Sequence, residues 1–544
     1  MSSLRYLRWV ERGSSLAWGR ISDEVTARRT LHGEAHVQAR PGQVVASHFG
    51  RRFPATPSPF VTKTDWQTEV LRRLIEHLDR AMPGEFFLAS ARVGNLPRIA
   101  VMDTAWAWLP RELDTLGLLA SRPSRLRALN NWGVIGEPAA HLEDAAVYIV
   151  FDPICSAPGE PAFVHGPDAG VLIERWVNVE GELTPASGRA APRINSGTVR
   201  RVMSPRTRGI DAPMPTALEQ PDIGEVTFPI DAVYTWVDGS DASWRAARDE
   251  FLRRENPGAF TESSADQSRF ADHEELRYSL RSIEENAPWI RHVYVVTAGQ
   301  RPAWLAENHP RLTVVDHREI FPPELDALPT FNSHAIESVL HRVPGLAEHF
   351  LYLNDDVAFS SPTAPETFFV ANGLARFAQS RAQIADGDPQ ANEPASDSSG
   401  KNARELILEA CGRRVNRKLF HTPLALQRSV AEELWESYPA EASATVRARF
   451  RTIADFQFAG NLHLHYAYSQ GRAVIGRIPY RYVDVGASSA SVELGRLYDA
   501  RHSIGVYCLN EASADLTPRE IEATMRAFYE RMHPNISSFE NTGR

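Results

Sequence analysis

The sequence predicts an α/β protein, a mostly parallel sheet with flanking helices, preceded by an N-terminal α/β accessory domain. Three observations predict it. Strands alternate with helices through the second half, an order that implies right-handed crossovers and parallel pairing. The chain has 544 residues, enough for more than one core at roughly 100–200 residues per domain. Residues 187–222 are rich in Pro, Ser, Arg and Gly and read as a linker between two folded parts.

Composition narrows the class. The chain is 43% hydrophobic, 23% charged and 9% aromatic, the balance of an ordinary folded protein. Lys and Arg number 59 against 68 Asp and Glu, a formal charge of −9. A chain built to grip nucleic acid would carry a basic surplus, so nucleic acid is not the expected partner. Small anions are a separate matter, because local fields depend on where the charges sit. The three cysteines, Cys155, Cys411 and Cys508, are too scattered for a disulfide framework or a CxxC zinc site, which suits a reducing compartment. Charge interrupts the apolar residues of Met1–Val10, so no signal-peptide core forms there. No apolar run reaches the roughly 18 residues that span a bilayer. The expected location is cytoplasmic, with peripheral contact at the inner face of a membrane and a homodimer both left open.

The elements follow in order. Residues 1–186 form the accessory domain, with a helical period over Trp66–Leu78 and strands at Ile99–Met102 and Ala146–Phe151. Residues 223–384 open the parallel-sheet domain. Ile230–Val237 is a β-branched and aromatic run that ends in the turn Asp238-Gly239-Ser240-Asp241. Asp272 should cap a helix running to Asn286, with Glu275 completing a capping box and Leu276, Leu280 and Ile283 forming the buried stripe. Strands are expected at His292–Thr297, Leu312–Val315 and Phe350–Leu353, and a helix at Ser333–Arg342. Residues 385–402 are polar and turn-rich and read as a mobile loop. Residues 403–544 are largely helical, with patterns at Ala403–Ala410, Ser429–Ser437 and Ala454–Gln470.

In parallel sheets ligands sit beyond the carboxyl ends of the strands, and three such ends carry chemistry here. Tyr234-Thr235-Trp236-Val237-Asp238 sets aromatics beside a turn carboxylate, which suits a nucleoside; a core Trp and a turn Asp are the alternative. Asn354-Asp355-Asp356 places adjacent acids straight after a strand, costly unless they meet a cation or donors. Ser333 could cap a helix that puts Glu337 about one turn in, at the metal or simply in solvent. Arg277 and Arg281 share one helix face and could meet a phosphate or pair with Glu274 and Glu285. His421, Arg451 and Asp455 offer a base, a cation and an acid, each weak alone. His463 and His465, two apart on a helix, point in different directions and are discounted as a metal pair.

Taken together these segments resemble the Stealth family of bacterial capsular-polysaccharide sugar-1-phosphate transferases. They are similar too to the catalytic core of the animal UDP-GlcNAc:lysosomal-enzyme GlcNAc-1-phosphotransferase. Four blocks carry the resemblance. They are Phe228–Gly239; Arg269–Ile283 continuing through Leu328-Pro329-Thr330-Phe331 to Tyr352–Val357; His421-Thr422-Pro423 with Phe450–Phe458; and Tyr507-Cys508-Leu509-Asn510-Glu511. The resemblance implies a GT-A-like or Rossmann-like sheet, a UDP-sugar donor (UDP-GlcNAc foremost), Mg²⁺ or Mn²⁺, and a glycan acceptor. Sugar-1-phosphate would move to the acceptor hydroxyl and UMP would leave; a glycosyltransferase releasing UDP is the alternative. Carried onto this chain, Asp356, Glu337 and Asp355 become the metal carboxylates. His421 becomes the general base or phosphate donor, Arg451 the phosphate stabiliser, and Asp455 the residue that orients Arg451. Tyr234, Trp236, Val237, Asp238 and Asn332 would line the donor pocket, with Arg277 and Arg281 near the diphosphate.

Overall fold

The structure, a computed structural model, describes residues 39, 41–48, 51–123, 132–137, 146–158, 162–187, 193–254, 270–390 and 392–541. The segment Met1–Val10, read above against a signal peptide, lies outside the described residues. The chain divides after Leu218 into two compact units, with Val93–Asn95 belonging to the second.

In the first unit the helix Lys63–Ala81 is capped by Thr62, whose side chain accepts from the Asp65 amide. Val70, Leu71, Leu74, Ile75 and Leu78 recur at helical spacing and bury one face against Ile99, Val101, Tyr148, Val150, Val171 and Ile173 of a largely antiparallel sheet. The expected linker is part of this core. Val199–Val202 pairs with Ala212–Pro215 as a hairpin, and Ile210, Ala212 and Met214 join the helix-and-sheet cluster. Pro213 and Pro215 fit because Pro is accommodated at the margins of small sheets.

The second unit carries the expected parallel sheet. Its strands are β1 (Ile230–Thr235), β2 (Val293–Thr297), β3 (Leu312–Asp316), β4 (His349–Asn354) and β6 (Leu424–Gln427). They lie in the order β3-β2-β1-β4-β6, parallel throughout except for the β4–β6 pair. β1 and β2 are buried along nearly their whole length, which is why apolar residues dominate both; the exception, Asp231 in β1, pairs with Arg291 at 2.6 Å. The chain winds from β1 outward to β3, then returns to place β4 on the other side of β1. That reversal is the switch point of a Rossmann-like sheet, where a crevice opens beyond the strand ends. Register sets Thr235 opposite Asn354 there.

A second, smaller sheet is attached to this crevice. Straight after Asp356 the chain enters β5 (Val357–Phe359), which pairs antiparallel with β8 (Val506–Asn510); β8 runs parallel to β7 (Tyr480–Asp484). Val357 lies opposite Cys508, so the last block of the chain returns to the acidic turn.

Several boundaries differ from expectation. Helix α1 (Glu275–Asn286) buries Leu276, Leu280 and Ile283 as its period predicts, but it starts at Glu275. Glu274 precedes it with φ 65°, Asp272 accepts from the Glu274 amide at 2.9 Å, and Glu275 accepts from the His273 amide at 2.6 Å. These bonds replace the capping box. Helix α2 is only Ser333–Glu337 long and is capped by Asn332, not Ser333. Helix α3 (Ala395–Cys411) begins inside the expected mobile loop, because Ser398, Ser399 and Lys401 are buried and Lys401 pairs with Glu393 at 2.7 Å. The Ala454–Gln470 pattern is broken at Gly460, leaving a π-type turn and the helix His463–Ser469. Among the described residues no helix is long and apolar enough to cross a membrane.

Candidate active site

A cavity of about 970 Å³ opens at the switch point. Its wall includes Thr235, Trp236 and Val237 from the end of β1, Asn354, Asp355 and Asp356 from the end of β4, and Ser333 and Glu337 from α2. His421, Arg451 and Asn510 come to the same wall from distant sequence. The fold thus brings together the three metal acids, the histidine and the arginine expected from the sequence.

The acids are desolvated. Burial raises the Glu337 carboxyl above its ordinary value, against the pull of His334. Burial, then Asp356 and Asp272, pushes Asp355 up to about 8. Glu275, on the same wall, is raised well above the usual range by burial and by Asp355. Two carboxylate oxygens, Glu337 Oε2 and Asp356 Oδ1, are buried with no hydrogen-bond partner. Leaving such an oxygen unsatisfied costs about 1–3 kcal/mol, more when it is charged. Unengaged oxygens among crowded acids fit a divalent cation, which takes oxygen ligands and cancels the repulsion.

A polar chain links these groups. The Tyr352 hydroxyl sits 3.1 Å from Thr235 Oγ1, 3.4 Å from Glu337 Oε1 and 2.9 Å from Asn354 Oδ1. Asn354 Nδ2 lies 2.6 Å from His421 Nε2. On the other side of the ring, Nδ1 lies 3.3 Å from Cys508 Sγ and 3.8 Å from Asp356 Oδ2. Cys508 Sγ and Asn510 Nδ2 in turn donate to Asp356 Oδ2 at 3.3 and 3.0 Å. Tyr352, Asn354, Cys508 and Asn510 had no role assigned from sequence. Local spacing carries no signal for them, because 152 residues separate Asp356 from Cys508 and only the β5–β8 pairing joins the two.

Arg451 reaches the wall and donates to Ser333 Oγ. Asp455 does not orient it, contrary to expectation. The Asp455 carboxylate is buried and accepts from Asn332 Nδ2 at 2.8 Å, Thr452 Oγ1 at 2.6 Å and the Thr452 amide at 3.1 Å, with His334 Nδ1 at 3.5 Å. It braces the loop that carries Arg451 against the start of α2. Asn332 is equally structural: fully buried, it caps α2 and donates to Ala448 O at 3.0 Å.

The expected donor-pocket residues separate into two groups. Trp236 and Asp238 line a smaller pocket of about 480 Å³ with Asp241, Trp244, Gln300 and Arg301, and the buried Trp236 Nε1 has no partner. Tyr234 does not take part. It is wholly buried in β1, and its hydroxyl meets Ser279 Oγ at 2.6 Å, because strand alternation turns it away from its neighbours on the wall. Arg277 and Arg281 are likewise committed elsewhere. Arg281 forms a two-pronged pair with Glu540 at 2.7 and 2.8 Å and donates to His533 O at 3.0 Å; Arg277 reaches Glu540 at 2.6 Å and Glu274 at 3.0 Å. Both lie on one helix face, and that face meets Glu540 of the C-terminal segment and, as the alternative expected, Glu274, not a diphosphate.

Three family models match the second unit: Stealth protein conserved region 1 at residues 228–255, conserved region 2 at 269–377 and conserved region 3 at 420–468. An exopolysaccharide phosphotransferase of Streptomyces coelicolor is 42% identical over 381 residues, 70% of this chain and 64% of its own length. A second from the same organism is 45% identical over 323 residues, 58% of this chain and 52% of its own length. The match therefore spans less than two thirds of these relatives. The exopolysaccharide phosphotransferase CpsY of Mycobacterium tuberculosis is 34% identical over 394 residues, 71% of both chains. Among solved structures, the galactosyltransferase LgtC with donor and acceptor sugar analogues aligns at 12% identity over 56% of this chain and 96% of its own, with a TM-score of 0.29. The bifunctional glycosyltransferase WbbM aligns at 10% identity over 86% of this chain and 71% of its own, with a TM-score of 0.31.

Proposed function

The chain belongs to the Stealth family, and on that premise we propose that it transfers a sugar phosphate in exopolysaccharide synthesis. The donor in this reading is a UDP-sugar, UDP-GlcNAc foremost, and the acceptor is a glycan hydroxyl. The hydroxyl oxygen attacks the sugar-bearing phosphorus, the phosphoanhydride bond breaks, and UMP leaves with that bond's electrons. The bond between sugar and phosphate stays intact. One observation carries the reading: unengaged oxygens of Asp356 and Glu337 share a cavity wall with His421 and Arg451.

Such a transfer asks for positioning, charge neutralisation and a base. A divalent cation, Mg²⁺ or Mn²⁺, held by Asp356 and Glu337 with Asp355 beside them, would neutralise charge on the diphosphate. Arg451 supplies paired donors for the transferring phosphoryl oxygens, with Ser333 holding it in place. His421 takes the acceptor proton at Nε2, which requires the Asn354 amide to yield that nitrogen. Trp236, Val237 and Asp238 hold the uridine.

Purified protein given UDP-GlcNAc, Mg²⁺ and candidate glycans should release UMP. His421→Ala and Arg451→Ala should each slow release by about 10²–10⁴-fold, the usual range for a lost proton-transfer or charge-stabilising group. Release of UDP alone would mark a glycosyltransferase and overturn the reading.

A further inference from the structure

We propose that Asp356, His421 and Cys508 form a three-donor site for a thiophilic divalent cation of the zinc class. Occupancy of this site is independent of the transfer reaction; only its effect on turnover rests on the function proposed above.

The donors already stand at the right separations. Cys508 Sγ is 3.3 Å from His421 Nδ1 and 3.3 Å from Asp356 Oδ2, and Nδ1 is 3.8 Å from Oδ2. With Zn–S at about 2.3 Å and Zn–N and Zn–O at about 2.0–2.2 Å, tetrahedral edges come to about 3.5–3.6 Å for sulfur and about 3.4 Å for nitrogen to oxygen. The observed triangle differs from that by a few tenths of an ångström. One ion can therefore reach all three atoms with little movement of backbone. Among the described residues no fourth His, Cys, Asp or Glu joins the three. The fourth corner is left to water or a phosphate oxygen, the pattern of an open zinc site.

Outer contacts support the same assignment. A metal-bound histidine ordinarily donates its other ring N–H to an oxygen. His421 Nε2 faces the Asn354 amide at 2.6 Å, and the two ends of an amide are interchangeable in assignment. With Oδ1 turned toward the ring, Nε2–H donates to it, and Nδ2 turns to the Tyr352 oxygen. Asn510 Nδ2 fixes the Asp356 carboxylate at 3.0 Å. A sulfur–nitrogen–oxygen set selects zinc-like ions over Mg²⁺, which prefers oxygen alone. Binding puts the Cys508 thiol proton into solvent. It withdraws His421 and Asp356 from transfer, so zinc inhibits where magnesium does not.

Metal-free full-length protein titrated with Co²⁺ tests the site directly. A thiolate-to-cobalt charge-transfer band should appear in the near ultraviolet, saturate at one equivalent and vanish on adding Zn²⁺. Cys508→Ser should lose the band, while Cys411→Ser and Cys155→Ser keep it. Calorimetric Zn²⁺ affinity should fall at least tenfold in Cys508→Ser and, as a variant of a half-exposed residue, in His421→Gln. No band in the wild type, or a band that survives Cys508→Ser, overturns the proposal. Should Cys508→Ser fail to fold, unchanged Zn²⁺ affinity in His421→Gln overturns it. UMP release, read in parallel, should be inhibited by Zn²⁺ in the presence of excess Mg²⁺. If no UMP forms but the band behaves as stated, the function fails and the site stands.

Discussion

At the residue scale the candidate site depends on two oxygens, Asp356 Oδ1 and Glu337 Oε2, buried without partners. Asp356→Asn and Glu337→Gln keep size and shape but remove a charge. Each should leave the melting temperature within a few degrees or raise it, since a buried, unpaired carboxylate is itself destabilising. Each should also cut transfer by at least about 10²-fold. Loss of activity accompanied by unfolding would make these acids structural. The same scale shows what the sequence could disclose. Asp355 and Asp356 were visible as adjacent acids after an apolar strand, a placement with few inexpensive explanations. Cys508 stood in the last matching block with no role attached, because its neighbours His421 and Asp356 arrive from 87 and 152 residues away.

At the scale of elements, α1 is fastened to the C-terminal segment, and two predictions follow from how. Arg281 and Glu540 are both nearly inaccessible and paired in two-pronged geometry. Arg281→Met leaves Glu540 short of its main partner and should cost about 3–5 kcal/mol in chemical denaturation, with the KM for the donor unchanged. A raised KM with unchanged stability would return Arg281 to the diphosphate. Glu284, on the same helix, accepts from the Ser538 amide at 2.9 Å and from its hydroxyl, yet burial lifts its carboxyl to about 7. A folded-state value above the unfolded one means that the proton is held more tightly in the native state. Its stabilisation is complete below about pH 4.5 and is lost as pH rises toward 7, roughly 3 kcal/mol in all. Glu284→Gln should flatten the stability profile between pH 5 and pH 8; an unaltered profile would contradict that assignment. Helix periods were legible wherever a face meets core, as in Leu276, Leu280 and Ile283. They failed where buried polar groups decide: α3 starts early because Lys401 finds Glu393, and α2 is capped by Asn332 because Asp455 holds that side chain.

At the scale of the whole molecule, the site belongs to one unit and to its topology. β1 and β4, paired side by side, end together at the switch point, β5 leads the chain directly from the acidic turn to β8, and the loop bearing Arg451 is braced by Asp455. Strand alternation made the parallel sheet legible, since β-branched runs buried on both faces have few other readings. The first unit's claim on residues 199–218 was not legible, because a proline-rich hairpin and a linker share a composition and differ only in burial. In the proposed reaction phosphorus travels with the sugar. The measurement is to supply UDP-GlcNAc labelled at the β-phosphorus and follow the label. Transfer of sugar phosphate puts the label on the glycan and leaves unlabelled UMP. Label retained in UDP, with unlabelled sugar on the glycan, would contradict it.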